Sequence, residues 1–161
     1  MKIVFLGIGT NLGNRELNLE QAIARIEEFI GPVLLSSSIY ETEPWGFQAE
    51  DKFLNQVVKI ETKLTPSGLL GKILMIESFL GRVRGPNRYS SRLIDIDILL
   101  YERIIIDDEN LKIPHPLLHE RKFVLVPLCE VASEMVHPGL KKSFSELLNI
   151  CKDEGNVKKF I

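Results

Sequence analysis

The chain has 161 residues, 45% hydrophobic, 7% aromatic and 26% charged, the composition of one ordinary globular domain able to bury a core without staples. Twenty Lys and Arg against 22 Asp and Glu leave a net charge of −2, which excludes a general nucleic-acid or membrane-surface binder and makes any electrostatic function local. No apolar run approaches the roughly 18 residues of a membrane span, and Cys129 and Cys151 lack any paired metal spacing, so a soluble cytoplasmic monomer with reduced thiols is expected.

Residues 3 to 8 are apolar on both alternating faces and predict a mid-sheet strand. A helix follows, capped by Asn14, with Leu19, Ala22, Ile23, Ile26, Phe29 and Ile30 at helical spacing and Gly31-Pro32 ending it. Residues 33 to 41 read as a strand and 42 to 52 as a loop. In the next strand, 53 to 62, Leu54, Val58 and Ile60 share one face, while Phe53, Asn55 and Val57 share the other. Thr65-Pro66 opens a second helix with Leu69, Ile73, Ile76 and Leu80 on one stripe, ending at Gly81. After an irregular segment, 82 to 92, a strand runs from Leu93 to Tyr101 and turns back through 104 to 106; shorter helices are expected at 122 to 132 and 143 to 150. The order strand, helix, strand, strand, helix, strand predicts an α+β fold, a ferredoxin-like antiparallel sheet with helices packed on its faces.

Four of the chain's eight arginines, Arg82, Arg84, Arg88 and Arg92, fall within eleven residues that contain no acid. Guanidinium forks suit phosphate oxygens through bidentate, charge-assisted hydrogen bonds. Three residues later comes Asp95-Ile-Asp97, whose carboxylates a strand places on one face, about 6.5–7 Å apart, with Ile94, Ile96 and Ile98 turned to the core. Two adjacent anions beside apolar residues need compensation, and paired hard oxygen ligands suit a Mg2+ that also holds phosphates. Alone, D-x-D is weak; beside the arginines it points to a nucleotide site.

Gly7-Ile-Gly-Thr-Asn-Leu-Gly13 lacks the Rossmann spacing, because position 12 is Leu, so its glycines read as parts of a tight strand-to-helix turn. No P-loop or protein-kinase catalytic loop occurs. His115 and His119 have pair spacing, but the flanking prolines and the lack of a third ligand argue against zinc; His115 is either a loop hydrogen-bonder or a phosphate contact. Glu77, near the end of its helix, is a solvated residue or a site acid.

The ordered set Gly9-Thr-Asn-Leu-Gly-Asn14, Tyr40-Glu-Thr-Glu-Pro44, Phe53-Leu-Asn55, Arg82, Arg84, Arg92, Asp95, Asp97, Ile-Pro-His-Pro at 113 to 116, Arg121, Phe123 and Pro127-Leu128 resembles 6-hydroxymethyl-7,8-dihydropterin pyrophosphokinase of folate synthesis. The resemblance covers nearly the whole chain and identifies 1 to 161 as a single pyrophosphokinase domain. It implies transfer of the β,γ-pyrophosphoryl group of ATP to the pterin hydroxymethyl group, releasing AMP, with two Mg2+ ions held by Asp95 and Asp97. It further implies catalytic roles for Arg82 and Arg92, and ATP binding by Glu77, Arg84, Tyr89, Ile98, His115 and Arg121. The pterin would meet Asn55 and main-chain groups near Thr42 and Trp45, sandwiched between Phe53 and Phe123. Many members read Arg-Trp-Gly-Pro-Arg where this chain has Arg88-Tyr-Ser-Ser-Arg92, some have Tyr at Pro116, and some have Tyr at Phe53.

Two other readings compete. A metal-dependent sugar-nucleotide transferase also uses D-x-D, but such enzymes usually carry a larger nucleotide domain. A ferredoxin-like RNA-binding module could use the arginines and Tyr89, yet the strands lack the required aromatic motif and the net charge is wrong.

Overall fold

The computed structural model describes residues 1–43, 52–81 and 93–161. In chain order its elements are β1 (Lys2–Thr10), α1 (Arg15–Phe29), β2 (Val33–Ser36), β3 (Tyr40–Thr42), β4 (Phe53–Thr62), α2 (Pro66–Phe79), β5 (Asp95–Tyr101), β6 (Ile106–Asp107), β7 (Lys112–Ile113), a 3-10 turn (Leu118–Glu120), α3 (Lys122–Ala132), α4 (Phe144–Ile150) and β8 (Val157–Lys159).

Six strands form one sheet in the order β5-β1-β4-β3-β8, with β2 also pairing to β4, and every one of these pairings is antiparallel. β1 is apolar on both faces because both are covered. Val4, Leu6, Ile8, Leu54, Val58, Ile60, Ile94, Ile96 and Ile98 pack beneath Leu19, Ala22 and Ile26 of α1 and Leu69, Ile73 and Ile76 of α2. Phe5, Val57, Leu99 and Leu100 pack on the other face against Val124, Leu125 and Leu128 of α3 and Phe144 and Leu147 of α4. Each such fully buried Leu or Ile contributes about 1.5–3 kcal/mol. The expected α+β architecture, an antiparallel sheet with helices on its faces, is therefore present.

Local signals act where expected. Asn14 Oδ1 accepts the Leu17 N–H at 3.1 Å, and Thr65 Oγ1 accepts the Gly68 N–H at 3.1 Å, with Pro66 at the first helical position. Four details differ. The return through 104 to 106 does not pair with β5; Ile106–Asp107 instead pairs with Lys112–Ile113 in a separate two-stranded sheet. The single strand expected over 33 to 41 is two, because the pairing is diverted at buried Ser37: its N–H still donates to the Val57 carbonyl at 2.8 Å, but its hydroxyl, not its carbonyl, accepts the Val57 N–H at 2.9 Å, and the carbonyl accepts from Gln56 Nε2 at 3.0 Å. Phe29, placed on the apolar stripe of α1 by spacing, is 39% exposed, since ten residues after Leu19 a helix has turned about 80° away from that stripe. The C-terminal strand β8 has no counterpart in the predicted elements and extends the sheet beyond β3.

Between Phe5 and Leu6 the β1–β5 register slips by one, leaving Leu99 as the extra residue of a bulge. Alternation holds up to this point, so Asp95, Asp97 and Leu99 face the α3 side while Ile94, Ile96 and Ile98 face α1 and α2.

Candidate functional site

A cleft of about 670 Å3, including its solvent-open part, lies on the α3 side of the sheet. Its floor is built from three neighbouring strands. Register places Asn55 of β4 opposite Gly9 of β1, and Gly9 opposite Asp95 of β5; one step along, Val57, Gly7 and Asp97 form a parallel row. Two strand spacings separate the outer members of each row, about 10 Å.

The glycines make this floor flat. A Cβ on Gly9 would sit 3.1 Å from Asn55 Oδ1, and one on Gly7 would meet the Leu99 side chain at 3.4 Å. Both lie inside β1, which corrects the expectation of a tight turn here; the turn begins only after Thr10, and Gly13 carries the positive φ of 68°. Gly7 and Gly9 are thus site residues that sequence reasoning missed. Their period-2 spacing inside an apolar strand was the available signal, since strand glycine often marks close approach of another group.

One wall comes from β3 and the start of β4. Thr42 and Phe53 are paired across these strands, and both line the cleft. Asn55, only 7% exposed, donates from Nδ2 to Thr42 Oγ1 at 2.7 Å, which fixes the amide against the floor. The opposite wall is the start of α3, where Arg121, Phe123 and Val124 line the cleft and the Arg121 guanidinium lies 5.6 Å from the Phe123 ring centroid. Phe53 and Phe123 therefore face one space, with Asn55 at its base.

The two walls are tied together. Glu130 of α3 accepts hydrogen bonds from Tyr40 OH at 2.7 Å and from Ser38 N and Oγ, both at 2.9 Å. Burial, with Glu130 alongside, pushes the Tyr40 phenol up to about 12. Burial also acts to raise Glu130, but these hydrogen bonds outweigh it and hold the carboxyl below its ordinary value.

β5 is positioned from both ends of its first turn of sequence. Thr10 Oγ1 donates to the Leu93 carbonyl, to which Asn18 Nδ2 also donates at 3.2 Å. Glu77 is 2% exposed, not solvated, and its Oε2 accepts the Ile96 N–H at 2.8 Å. The His115 main-chain N–H donates to the Leu99 carbonyl at 3.0 Å, and its Nδ1 accepts the Leu117 N–H at 3.1 Å.

The structure thus gathers Thr42, Phe53, Asn55, Asp95, Asp97, Arg121 and Phe123 around one cleft. Glu77 and His115 attach instead to the main chain of β5, and the Ile98 side chain packs in the core under α1 and α2, not along the cleft. Trp45, Arg82, Arg84, Tyr89 and Arg92 lie outside the described residues. Among the described residues no three or more His, Cys, Asp or Glu side chains cluster as metal ligands, and no helix is long and apolar enough to cross a membrane.

Comparison with known proteins adds an independent line. Residues 5–133 match the family described as 7,8-dihydro-6-hydroxymethylpterin-pyrophosphokinase (HPPK). A 2-amino-4-hydroxy-6-hydroxymethyldihydropteridine pyrophosphokinase from Aquifex aeolicus (strain VF5) is 39% identical over 160 residues, covering 99% of this chain and 96% of its own length. Proteins of the same name from Methylorubrum extorquens and Bacillus subtilis (strain 168) are 45% and 37% identical, over 86% and 99% of this chain and 88% and 96% of theirs. Among solved structures, a Plasmodium falciparum HPPK-DHPS chain superposes with a TM-score of 0.76 at 20% identity, over 92% of this chain; the present chain spans 43% of that longer one, and the likeness concerns the fold alone.

Proposed function

Because the chain belongs to the 7,8-dihydro-6-hydroxymethylpterin-pyrophosphokinase family, we propose that it transfers the β,γ-pyrophosphoryl group of ATP to the hydroxymethyl group of 6-hydroxymethyl-7,8-dihydropterin, releasing AMP, in folate synthesis. One observation carries the reading: the row Asn55, Gly9, Asp95 spans three adjacent strands on one cleft floor. An amide suited to the edge of a flat heterocycle and a carboxylate suited to metal and phosphate are thereby set about 10 Å apart with no side chain between them.

Phe53 and Phe123 offer aromatic faces to the pterin, while Asn55 and the backbone near Thr42 and Trp45 read its polar edge. The donor chemistry of Asp95 and Asp97 fits Mg2+. Two hard oxygen groups on one strand face, with no third acidic or His ligand clustered beside them among the described residues, leave the remaining positions to water and phosphate, as Mg2+ prefers. When bound, Mg2+ supplies charge neutralisation to the triphosphate and polarises the oxygens at the transferring phosphorus.

The protein's own groups orient and enclose the reactants. Arg121, at the head of α3, offers a fixed guanidinium fork beside the pterin wall, and Glu77 sets β5, hence both aspartates, through Ile96. Arg82 and Arg92 serve charge stabilisation during transfer, and Arg84, Tyr89 and His115 complete the nucleotide side, whereas Ile98 supports β5 from the core. We read residues 1–161 as one such domain, ferredoxin-like in its β1 to β5 half, as the strand order β5-β1-β4-β3 supports, and acting as a cytoplasmic monomer.

Incubation of the protein with ATP, Mg2+ and the pterin tests the reading. AMP together with pyrophosphorylated pterin is expected, with no turnover in excess chelator; ADP as the nucleotide product overturns it.

A further inference from the structure

Arg15 occupies the first position of α1, where the positive end of the helix dipole disfavours a cation. Its partners lie elsewhere in the fold. Nη1 donates both to Glu41 Oε2 at 3.0 Å and to the Lys52 carbonyl at 2.9 Å, and the guanidinium lies over the Phe160 ring, 5.7 Å from its centroid. Phe160 is itself held by its N–H on the Ile39 carbonyl at 2.7 Å, continuing the β3–β8 pairing. One side chain therefore joins the start of α1, the end of β3, the residue before β4 and the C-terminal tail.

The location of this junction relative to the cleft gives it meaning. Glu41 precedes Thr42 and Lys52 precedes Phe53, and Thr42 and Phe53 are the cross-strand pair that forms the cleft wall. Alternation along β3 puts Glu41 on the opposite face of the sheet from Thr42. Arg15 is accordingly absent from the residues that line the cleft and acts from beneath it. A second tie, Lys52 Nζ to Glu43 Oε1 at 3.5 Å, joins the same two stems.

We propose that Arg15 is a positioning residue for the pterin side of the site, holding the β3 and β4 stems at the separation that Thr42, Phe53 and Asn55 need to grip the heterocycle. The inference rests on the pterin reading above. The Arg15 and Glu41 side chains are each 25% exposed; an ion pair still reached by solvent adds little to stability, so the consequence of the arrangement falls on the geometry of the pair it braces. Lysine could keep the charge opposite Glu41, but its ammonium is a single point donor without a flat face for Phe160.

Steady-state kinetics of AMP formation by the full chain test this, with each substrate varied in turn. Arg15→Ala should raise the pterin KM about tenfold while the ATP KM stays within about twofold of wild type, and Arg15→Lys should fall between. Calorimetric titration of the pterin into each protein should rank the affinities in the same order. A pterin KM and affinity unchanged in Arg15→Ala, or an equal rise in both KM values, overturns the proposal. Should Arg15→Ala fail to fold, a pterin-selective rise in Arg15→Lys still supports it and no rise overturns it. Failure of the function reading is distinct: wild type would then release no AMP and bind no pterin.

Discussion

The carboxylate of Glu77 accepts the main-chain N–H of Ile96 at 2.8 Å, at the residue that separates Asp95 from Asp97. Among the described residues β5 is an end strand of the sheet path, paired with β1, and this N–H faces outward from that ladder and needs an acceptor. α2 supplies one from a side chain that is 2% exposed. Burying a carboxylate is costly unless hydrogen bonds compensate, and leaving a buried amide unmet is costly as well.

Replacing Glu77 by Ala should therefore destabilise the protein by about 1–3 kcal/mol, the cost of an orphaned buried N–H plus lost packing. Because the aspartates flank that amide, the Mg2+ concentration for half-maximal activity should rise as well. Urea unfolding and a Mg2+ titration of activity read the two effects. Loss of stability with an unchanged Mg2+ requirement would restrict Glu77 to a structural role.

Asp97→Asn should separate metal chemistry from folding. Asp95 and Asp97 present two carboxylates on one strand face, where like charges repel. Removing one charge while keeping the shape should lower Mg2+-dependent turnover by about 10²-fold or more. The thermal midpoint of the metal-free protein should stay level or rise, as calorimetry would record; a marked fall would mean that Asp97 holds the fold instead.

What the sequence made legible follows from how each signal is encoded. The Ile-Asp-Ile-Asp-Ile run is periodic at two, so the face of β5 that carries the acids could be read directly, as could the shared face of Phe53, Asn55 and Val57. Glu77 was ambiguous because its partner is a backbone N–H on a strand 19 residues away, and backbone groups leave no trace in side-chain patterning. Gly7 and Gly9 misled because glycine suits both turns and flat sheet floors, and only the pairing with Asn55 and Asp95 distinguishes them. β8 is three residues with two lysines, too short and too polar to show a strand period, and its order comes from β3. The substrates were legible only through the ordered motifs shared with a family, since no periodicity encodes a pterin.

Gly9→Ala tests the flat floor. The added methyl would stand 3.1 Å from Asn55 Oδ1, tighter than ordinary contact, so the amide must shift by a few tenths of an ångström from its bond to Thr42. The backbone at Gly9 is extended and tolerates Ala, and folding should change by less than about 1 kcal/mol. The pterin KM should rise about three- to tenfold with the ATP KM little altered. A rise confined to the ATP KM would place the contact at the nucleotide instead, and an equal rise in both would refute a pterin-specific floor.

A pH dependence of stability is expected from His137, which does not line the cleft. This ring is 7% exposed, and its Nδ1 accepts two main-chain N–H groups, from Gly139 and Leu140, both at 3.0 Å. Protonation would place a proton where two donors already point. Burial first, and the neighbouring His119 second, hold its pKa below the ordinary 6.5. The folded state thus resists a proton that the unfolded chain accepts, so more protons bind on unfolding and stability rises with pH across that window. The contribution of His137 is complete above about pH 6.5 and is lost as pH falls from there through its depressed folded value. Urea midpoints between about pH 5 and 8 should show this slope, and His137→Asn, whose amide oxygen can accept without titrating, should flatten it. An unchanged slope in the variant would assign the acid sensitivity to another group.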